Sequence, residues 1–414
     1  MSHIGIWVIS IFSISTIIIR PFKLPEAVWA VIGSLLLIIG GFILPKDAIR
    51  GVLNGVDVYL FLTGMMLLAV VAQEEKLFDF LAAYATKLSR GSSKRFFILI
   101  YIVGIIVTAF LSNDATAVVL TPAIVAATKT AKIKKPLPFL LICAFVANAA
   151  SFMLPISNPA NLIIYKGHLP SLLHWLEQYI LPSLVAIMVT FILLWFTQRK
   201  NLNQTIELEN VEPSLSSGAR TALIGITATA FILLTCSAMG IQLGLPTAIT
   251  GIITSLIVII RSRKNPFTIV KNVSWQVLPL VAGLFVIVEA LNKTGIIKIL
   301  SGLLHQSLSS SVVAATWGSG IATAFGCNLL NNLPTGLIVS NVIQPTHVPE
   351  IVKSAILIGI DLGPNLSVTG SLATILWLVA LRREGYEING WNFLKLGIII
   401  MTITLVFTLA SIWI

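Results

Sequence analysis

FLSNDATAVVLTP, residues 110–122, runs apolar on both sides of a polar knot, Ser112-Asn113-Asp114. A helix that simply continued through hydrocarbon has no use for an amide beside a carboxylate, and an ionisable group at membrane depth is costly and by default functional. Two explanations compete. Asp and Asn are strong helix N-caps, so the knot can mark a helix that breaks and restarts; or Asp114 can take part in moving something across the membrane.

The rest of the chain sets this question in a bilayer. Of 414 residues 57% are hydrophobic and 10% charged, and the mean hydropathy is +0.96, far from the composition of a soluble domain. Runs at 4–19, 26–43, 56–73, 176–197, 221–240, 245–260, 276–292 and 394–413 are each about long enough to cross roughly 30 Å of hydrocarbon. The first has no Lys or Arg ahead of it and is followed by Arg20 without a small-residue cleavage site, so it reads as a retained span.

The formal charge of +11 calls for no nucleic acid, because Lys and Arg mark the cytoplasmic loops of membrane proteins. All but six of the 27 basic residues fall in clusters, at Arg20/Lys23, Lys76–Arg95, Lys129–Lys135, Arg199–Arg220, Arg261–Lys271 and Arg382–Lys395. The six, Lys46, Arg50, Lys166, Lys293, Lys298 and Lys353, are expected outside. Segments 96–111 and 115–128 are flanked by Lys94/Arg95 and by Lys129–Lys135, which puts both ends in the cytoplasm. One crossing cannot do that. Two short helices that enter and turn back at the knot can, as a re-entrant hairpin whose irregular tip is tolerated only inside protein or against a cavity. Two full crossings are the alternative.

Internal similarity favours the hairpin. LPEAVWAVIGSLLLII (24–39) and LPTAITGIITSLIVII (245–260) share eight identities in sixteen positions, where about two are expected of unrelated apolar helices. At nearly the same offset Gly64 meets Gly283, and Thr108-Ala109-Phe110 before the first knot meets Thr323-Ala324-Phe325 before a second, CNLLNNLPT (327–335). With the hairpin not crossing, each half has five spans, and an odd number turns the second half upside down. Such inverted repeats belong to secondary transporters, with the binding site at the midplane.

Each half has a further interruption, LPISNPANL (154–162) and DLGPNLSVTGSL (361–372). Pro155, Pro159, Pro334, Gly363, Pro364 and Gly370 break the helices, and Ser157-Asn158-Pro159 is a cap followed by a favoured first helical residue. Four helix N-termini then converge with free N–H groups and positive dipole ends. The expected solute-binding residues are Asn113, Ser157, Asn158, Asn331, Asn332, Thr369 and Ser371, and the expected proton-coupling residues Asp114 and Asp361. Glu289, inside an apolar span, is a further candidate, with proximity to the outer interface as its plain explanation.

The motifs N-D-A-x-A-x-x-L-T-P at 113–122, N-N-L-P-T at 331–335 and D-L-G-P-x-x-x-x-G-S-L-A-T-x-L-W-L at 361–378 resemble those of the ArsB arsenite and antimonite efflux permeases of the ion transporter superfamily, over nearly the whole chain. The resemblance implies export of neutral trivalent arsenic and antimony hydroxides from the cytoplasm of a bacterium or archaeon, driven by protons alone or with a separate ATPase subunit. It places Asn113, Asp114, Asn331, Asn332, Asp361, Gly363, Pro364, Gly370 and Ser371 on the family pattern. Departures are Asn365 where a Lys commonly follows Gly-Pro, Ala115 in place of a frequent Gly, and the Ser157-Asn158-Pro159 wording, which is similar to that of sodium-coupled carboxylate carriers of the same superfamily.

The chemistry bears on the choice. A neutral trihydroxide offers three O–H groups that suit amides, hydroxyls and helix N–H groups, whereas a citrate-like anion is met by Arg or Lys, or by helix dipoles with bound sodium. Neither knot contains a basic residue. Cys143, Cys236 and Cys327 are too widely spaced to suggest a thiolate site, and arsenic or antimony enters as substrate only. Walker A, HExxH and GxSxG motifs are missing, which argues against ATPase, metalloprotease and hydrolase chemistry; no cofactor is expected. A channel is the remaining non-carrier alternative.

The expected protein is thus all-α and polytopic in a plasma membrane, with two inverted repeats, each of five transmembrane helices plus one re-entrant hairpin, and discontinuous helices at the midplane. The first repeat is 1–198, with its hairpin at 95–130 and broken helix at 137–165. A cytoplasmic linker at 199–218, carrying Glu207, Glu209 and Glu212, leads to the second repeat, 219–414, with hairpin 310–343 and broken helix 353–381. Both termini are expected outside.

Overall fold

The computed structural model describes residues 3–165, 169–207, 213–344 and 348–414, the side chains of Ile18 and Lys23 excepted. Lys166, Glu209 and Glu212 lie outside the described residues. Apart from one isolated bridge between Ser92 and Thr205, the regular elements among the described residues are helices. Seven are long and apolar enough to span a bilayer, among them Val56–Glu74, Ser93–Phe110, Leu172–Gln198, Gly244–Ser262 and Gly390–Ser411. Helices satisfy their own backbone groups, the condition for lying in hydrocarbon. The chain is an all-α, multi-spanning membrane protein.

Helix pairings carry the mark of an internal repeat. Glu26–Ile39 packs on Val277–Asn292, and the helix similar to the first in sequence, Gly244–Ser262, packs on Val56–Glu74. The close approach falls at small residues in both pairs. A Cβ on Gly64 would lie 2.1 Å from the Thr247 carbonyl oxygen, one on Gly251 would meet Gly64, and one on Gly283 would meet Ala30 at 2.8 Å. Small residues let membrane helices come near enough for dispersion and polar contacts to hold them where no hydrophobic drive exists. Ser34 Oγ, which donates to Gly283 O at 3.0 Å, adds a polar tie.

The first knot joins Ser93–Phe110 to a helix that starts at Asn113, and the second joins Val312–Leu330 to Asn332–Ile343. The first arm has 18 residues, two more than the apolar segment 96–111, and extends about 27 Å. The second arm carries a π-helical stretch at Thr116–Leu120 ahead of Pro122. Proline's missing N–H removes one rung of the ladder there, a defect that a widened turn accommodates.

The broken helices run Leu137–Ala149 into Pro159–Tyr165, and Glu350–Leu362 into Leu372–Arg383. Between the halves, residues 199–207 lie across the base of the first hairpin, where Ile206 N donates to Gly91 O at 3.1 Å and Lys132 meets Glu207 at 2.6 Å. The next helix begins at Ser217, two residues inside the expected linker, because Ser216 Oγ caps it by accepting from Ala219 N at 3.0 Å.

Candidate functional site

At the first knot the helix restarts on Ser112, whose Oγ accepts from Ala115 N at 3.1 Å. Asn113 Oδ1 accepts from Asp114 N at 2.9 Å. Asp114 is therefore not the cap that one reading made it; it stands in the first turn, half-buried, beside a small cavity. Thr108 and Thr116 hydroxyls, 2.8 Å apart, tie the two arms just behind the knot.

The first break is bound to both its own hairpin and the other half. Ser157 Oγ donates to Ala109 O at 3.0 Å, so it serves the junction between break and hairpin. Asn158 Oδ1 caps the half-helix by accepting from Ala160 N at 3.0 Å, and its Nδ2 donates to Asp361 Oδ1 at 2.7 Å. Asp361 is buried, 1% exposed; besides Asn158 the Ser151 hydroxyl faces its carboxyl, and its Oδ2 makes no hydrogen bond of ordinary geometry within the protein. An ionised carboxylate left half-satisfied at that depth is strongly unfavourable. Binding a proton or a small cation removes the penalty.

The second knot closes on the second break. Asn332 N donates to Gly370 O at 2.9 Å, and Asn331 Nδ2 donates to Thr369 O at 3.2 Å while its Oδ1 faces Leu333 N. Asn331 has φ 75° and ψ 156°, a strained backbone position outside the left-handed helical well and ordinarily taken by glycine. Asn332 Oδ1 is buried without a partner. Ser371 caps the second half-helix, its Oγ accepting from Thr374 N at 3.1 Å.

Three further amides join this network although the sequence reading gave them no role in the site. Asn148 Nδ2 donates to Asn365 Oδ1 at 3.0 Å, and Asn365 Nδ2 to Phe145 O at 3.2 Å. Asn328 Nδ2 donates to Gly363 O at 2.9 Å and its Oδ1 accepts from Ser367 Oγ at 2.7 Å. The Gly370 position leaves no room for a side chain: a Cβ would lie 2.8 Å from Asn328 Oδ1.

Two cavities flank the half-helix Pro159–Tyr165. One of about 60 Å3 is lined by Ser112, Asp114 and Pro159 against Phe61, Met65 and Gln73, enough for a few waters. The other, about 1050 Å3, reaches Leu162 and Ile163 a turn further on and is lined by Asp57, Gln242, Glu289 and Asn341 among others. Neither lining contains Lys or Arg among the described residues. Nor do the described residues hold a group of three or more His, Cys, Asp or Glu side chains placed to bind a metal.

A family profile described as "Citrate transporter" matches residues 12–359. Curated relatives include the arsenical pump membrane protein of Escherichia coli K12, 26% identical across 97% of this chain and 96% of that protein, and one of the same description from Yersinia enterocolitica, 25% identical across 84% and 83%. Among solved structures, the Alcanivorax borkumensis YdaH transporter aligns with TM-score 0.57 at 13% identity over 88% of this chain and 86% of that one. Neisseria gonorrhoeae MtrF aligns with TM-score 0.52, also at 13%, over 89% and 82%. These two likenesses speak for the fold alone.

Proposed function

Because the chain belongs to the citrate transporter family, we propose that it carries a small di- or tricarboxylate-like anion together with a coupling cation, proton or sodium, by alternating access. At the coarser level it is a secondary-active membrane transporter of small solutes, a multi-pass protein of a bacterial or archaeal plasma membrane, and not an enzyme. The observation that carries the coupling is Asp361, whose buried Oδ2 makes no hydrogen bond of ordinary geometry. A cation there offsets charge that helix N-termini alone would balance only in part.

In this reading the two halves, 1–198 and 219–414, are inverted repeats of five spans and a re-entrant hairpin each. The knots and breaks meet near the midplane, and the two cavities are the approaches from opposite sides. Asn113, Asn331, Asn332 and Thr369 are the solute's polar contacts. Ser157, Asn158 and Ser371 act through the helix ends they hold, and Asp114 is a second place for the coupling cation.

A second reading has its own observation. Neither cavity lining contains a basic residue, and the acidic residues that line them are Asp114 in the smaller and Asp57 and Glu289 in the larger. That donor set suits the neutral trivalent hydroxides of arsenic and antimony, the solute class suggested by the arsenical pump relatives and by the motif at 361–378. Transport is then export by proton antiport.

Everted membrane vesicles distinguish the two. Citrate accumulation driven by a sodium or proton gradient, with arsenite and antimonite ignored, supports the carboxylate reading. Proton-driven accumulation of arsenite and antimonite without citrate overturns it in favour of the second.

A further inference from the structure

The two broken helices are the same length, 13 residues, and aligning them end to end sets Asn148 on Asp361. Continued through the breaks without a gap, the alignment sets Asn158 on Ser371 and Pro159 on Leu372, the first residues of the two half-helices. The contacts obey the same relation. Asn158 donates to Asp361 at 2.7 Å, and its counterpart Ser371 donates to Asn148 Oδ1 at 3.4 Å, the counterpart of Asp361. Each cap reaches across to the other half's broken helix, at equivalent places.

The two crossings differ in one respect that matters. Asp361 is ionisable and has one oxygen without a hydrogen bond of ordinary geometry. Asn148 cannot change charge, and it is satisfied: its Nδ2 donates to Asn365 Oδ1 at 3.0 Å and points to Thr374 Oγ1 at 3.4 Å, and its Oδ1 accepts from Ser371. One carboxylate and one amide at equivalent places leave one crossing able to respond to a cation and one that stays closed.

We propose that Asn148 is the positioning residue of a permanently neutral crossing, the counterpart of the cation-responsive crossing at Asp361, and that this asymmetry limits the carrier to one coupling cation at the paired crossings per cycle. The inference rests on the coupling role given to Asp361 above. Asn148 holds the second break through Asn365, Ser371 and Thr374, so that break keeps its shape while the Asp361–Asn158 contact changes. The other titratable groups near the Asp361 crossing are the Cys327 thiol, whose Sγ donates to Ile360 O at 3.6 Å, and Tyr179, bonded to Tyr165 at 2.7 Å. On the same helix Glu350 and Lys353 pair with each other at 2.7 Å, two turns or more away. The packed helices Leu137–Ala149, Pro159–Tyr165, Val312–Leu330 and Asn332–Ile343 carry no charged side chain, and Gly390–Ser411 carries only Lys395.

The test is a transplant. N148D puts a carboxylate at the neutral crossing, where the Asn365 amide can turn over to donate to it as Asn158 does to Asp361. In proteoliposomes, the reversal potential of solute flux gives cations per solute. N148D is expected to raise that ratio by one, and the double variant N148D/D361N to return to the wild-type ratio. An unchanged ratio in N148D that retains wild-type thermal stability overturns the proposal. For a preparation in which N148D does not fold, N148S serves: it keeps the crossing neutral, so the proposal expects the wild-type ratio with a changed KM for solute, and an altered ratio overturns it. D361N run alongside separates the two layers, since coupling that survives D361N defeats the role of Asp361 itself, whereas its loss together with an inert N148D defeats only the inference about Asn148.

Discussion

Asn158 and Asp361, 203 residues apart in sequence, meet through a hydrogen bond of 2.7 Å that joins the cap of one half's broken helix to the carboxylate of the other's. A change in the charge state of Asp361 is therefore felt at once by both halves. Asn158→Ser keeps a side chain able to cap, as Ser371 does at the equivalent place, but is too short to donate to Asp361. It should leave expression and thermal stability within about 1 kcal/mol of wild type while reducing gradient-driven transport about tenfold or more. Unaltered transport kinetics in this variant would remove the contact from the mechanism.

At the first knot, capping and transport fall on different residues. Ser112→Ala removes the Oγ that accepts from Ala115 N and should cost about 1 kcal/mol of stability. Asp114→Asn leaves that cap in place, so it should unfold like wild type and lose transport. Thermal unfolding in detergent alongside vesicle uptake checks both. The reverse pattern, an unstable Asp114→Asn that transports normally, would restore Asp114 to the role of a cap.

The scaffold depends on small residues. Gly64→Ala would place a methyl 2.1 Å from the Thr247 carbonyl oxygen, and forcing the pair apart should destabilise by about 1–3 kcal/mol. Gly302, with open space around it, is the control: Gly302→Ala should be neutral or slightly stabilising. Equal melting temperatures for the two variants would refute the packing account.

Outside the spans, the helix Pro45–Leu53 is tied down by Asp47, which pairs with Lys293 and lies 3.9 Å from Arg50. The hydrogen bond from Lys293 holds the Asp47 carboxyl below its ordinary value of 3.8. A depressed folded-state value means the stabilisation is present above pH 3.8 and is lost as the pH falls through the lower value. Asp47→Asn should thus melt below wild type at neutral pH, with the gap closing in strong acid. A gap that does not change with pH would show that the pair contributes nothing through its charge.

Proline, glycine and capping residues act through the few bonds around them, which is why the breaks at Pro155, Pro159, Gly363 and Pro364 could be read from the sequence; the alignment of Gly64 with Gly283 marked equivalent positions but not the close approach each makes to another helix. Which of three adjacent polar residues caps a helix is settled by tertiary packing, so Ser112 could not be distinguished from Asp114. Asn148 lies in an apolar run with no motif around it, whereas Asn328 stands inside the second knot, three residues ahead of the Asn331-Asn332 pair that carries the recognisable pattern. The signal that finds Asn148 is the gapless alignment that sets it on Asp361; pairing the two breaks as motifs, without the helices that lead into them, does not reach it. Asn365, noticed only as a departure from a pattern, turns out to bond across the halves to Asn148.

Asp361→Asn is the most direct probe of the account, because it preserves shape and removes only the ability to bind a proton or pair with a cation. In proteoliposomes loaded with the transported solute, the account predicts that this variant still exchanges labelled solute across the membrane but no longer accumulates it when a proton or sodium gradient is imposed. Accumulation against the solute gradient at the wild-type rate and with the wild-type cation dependence would contradict it.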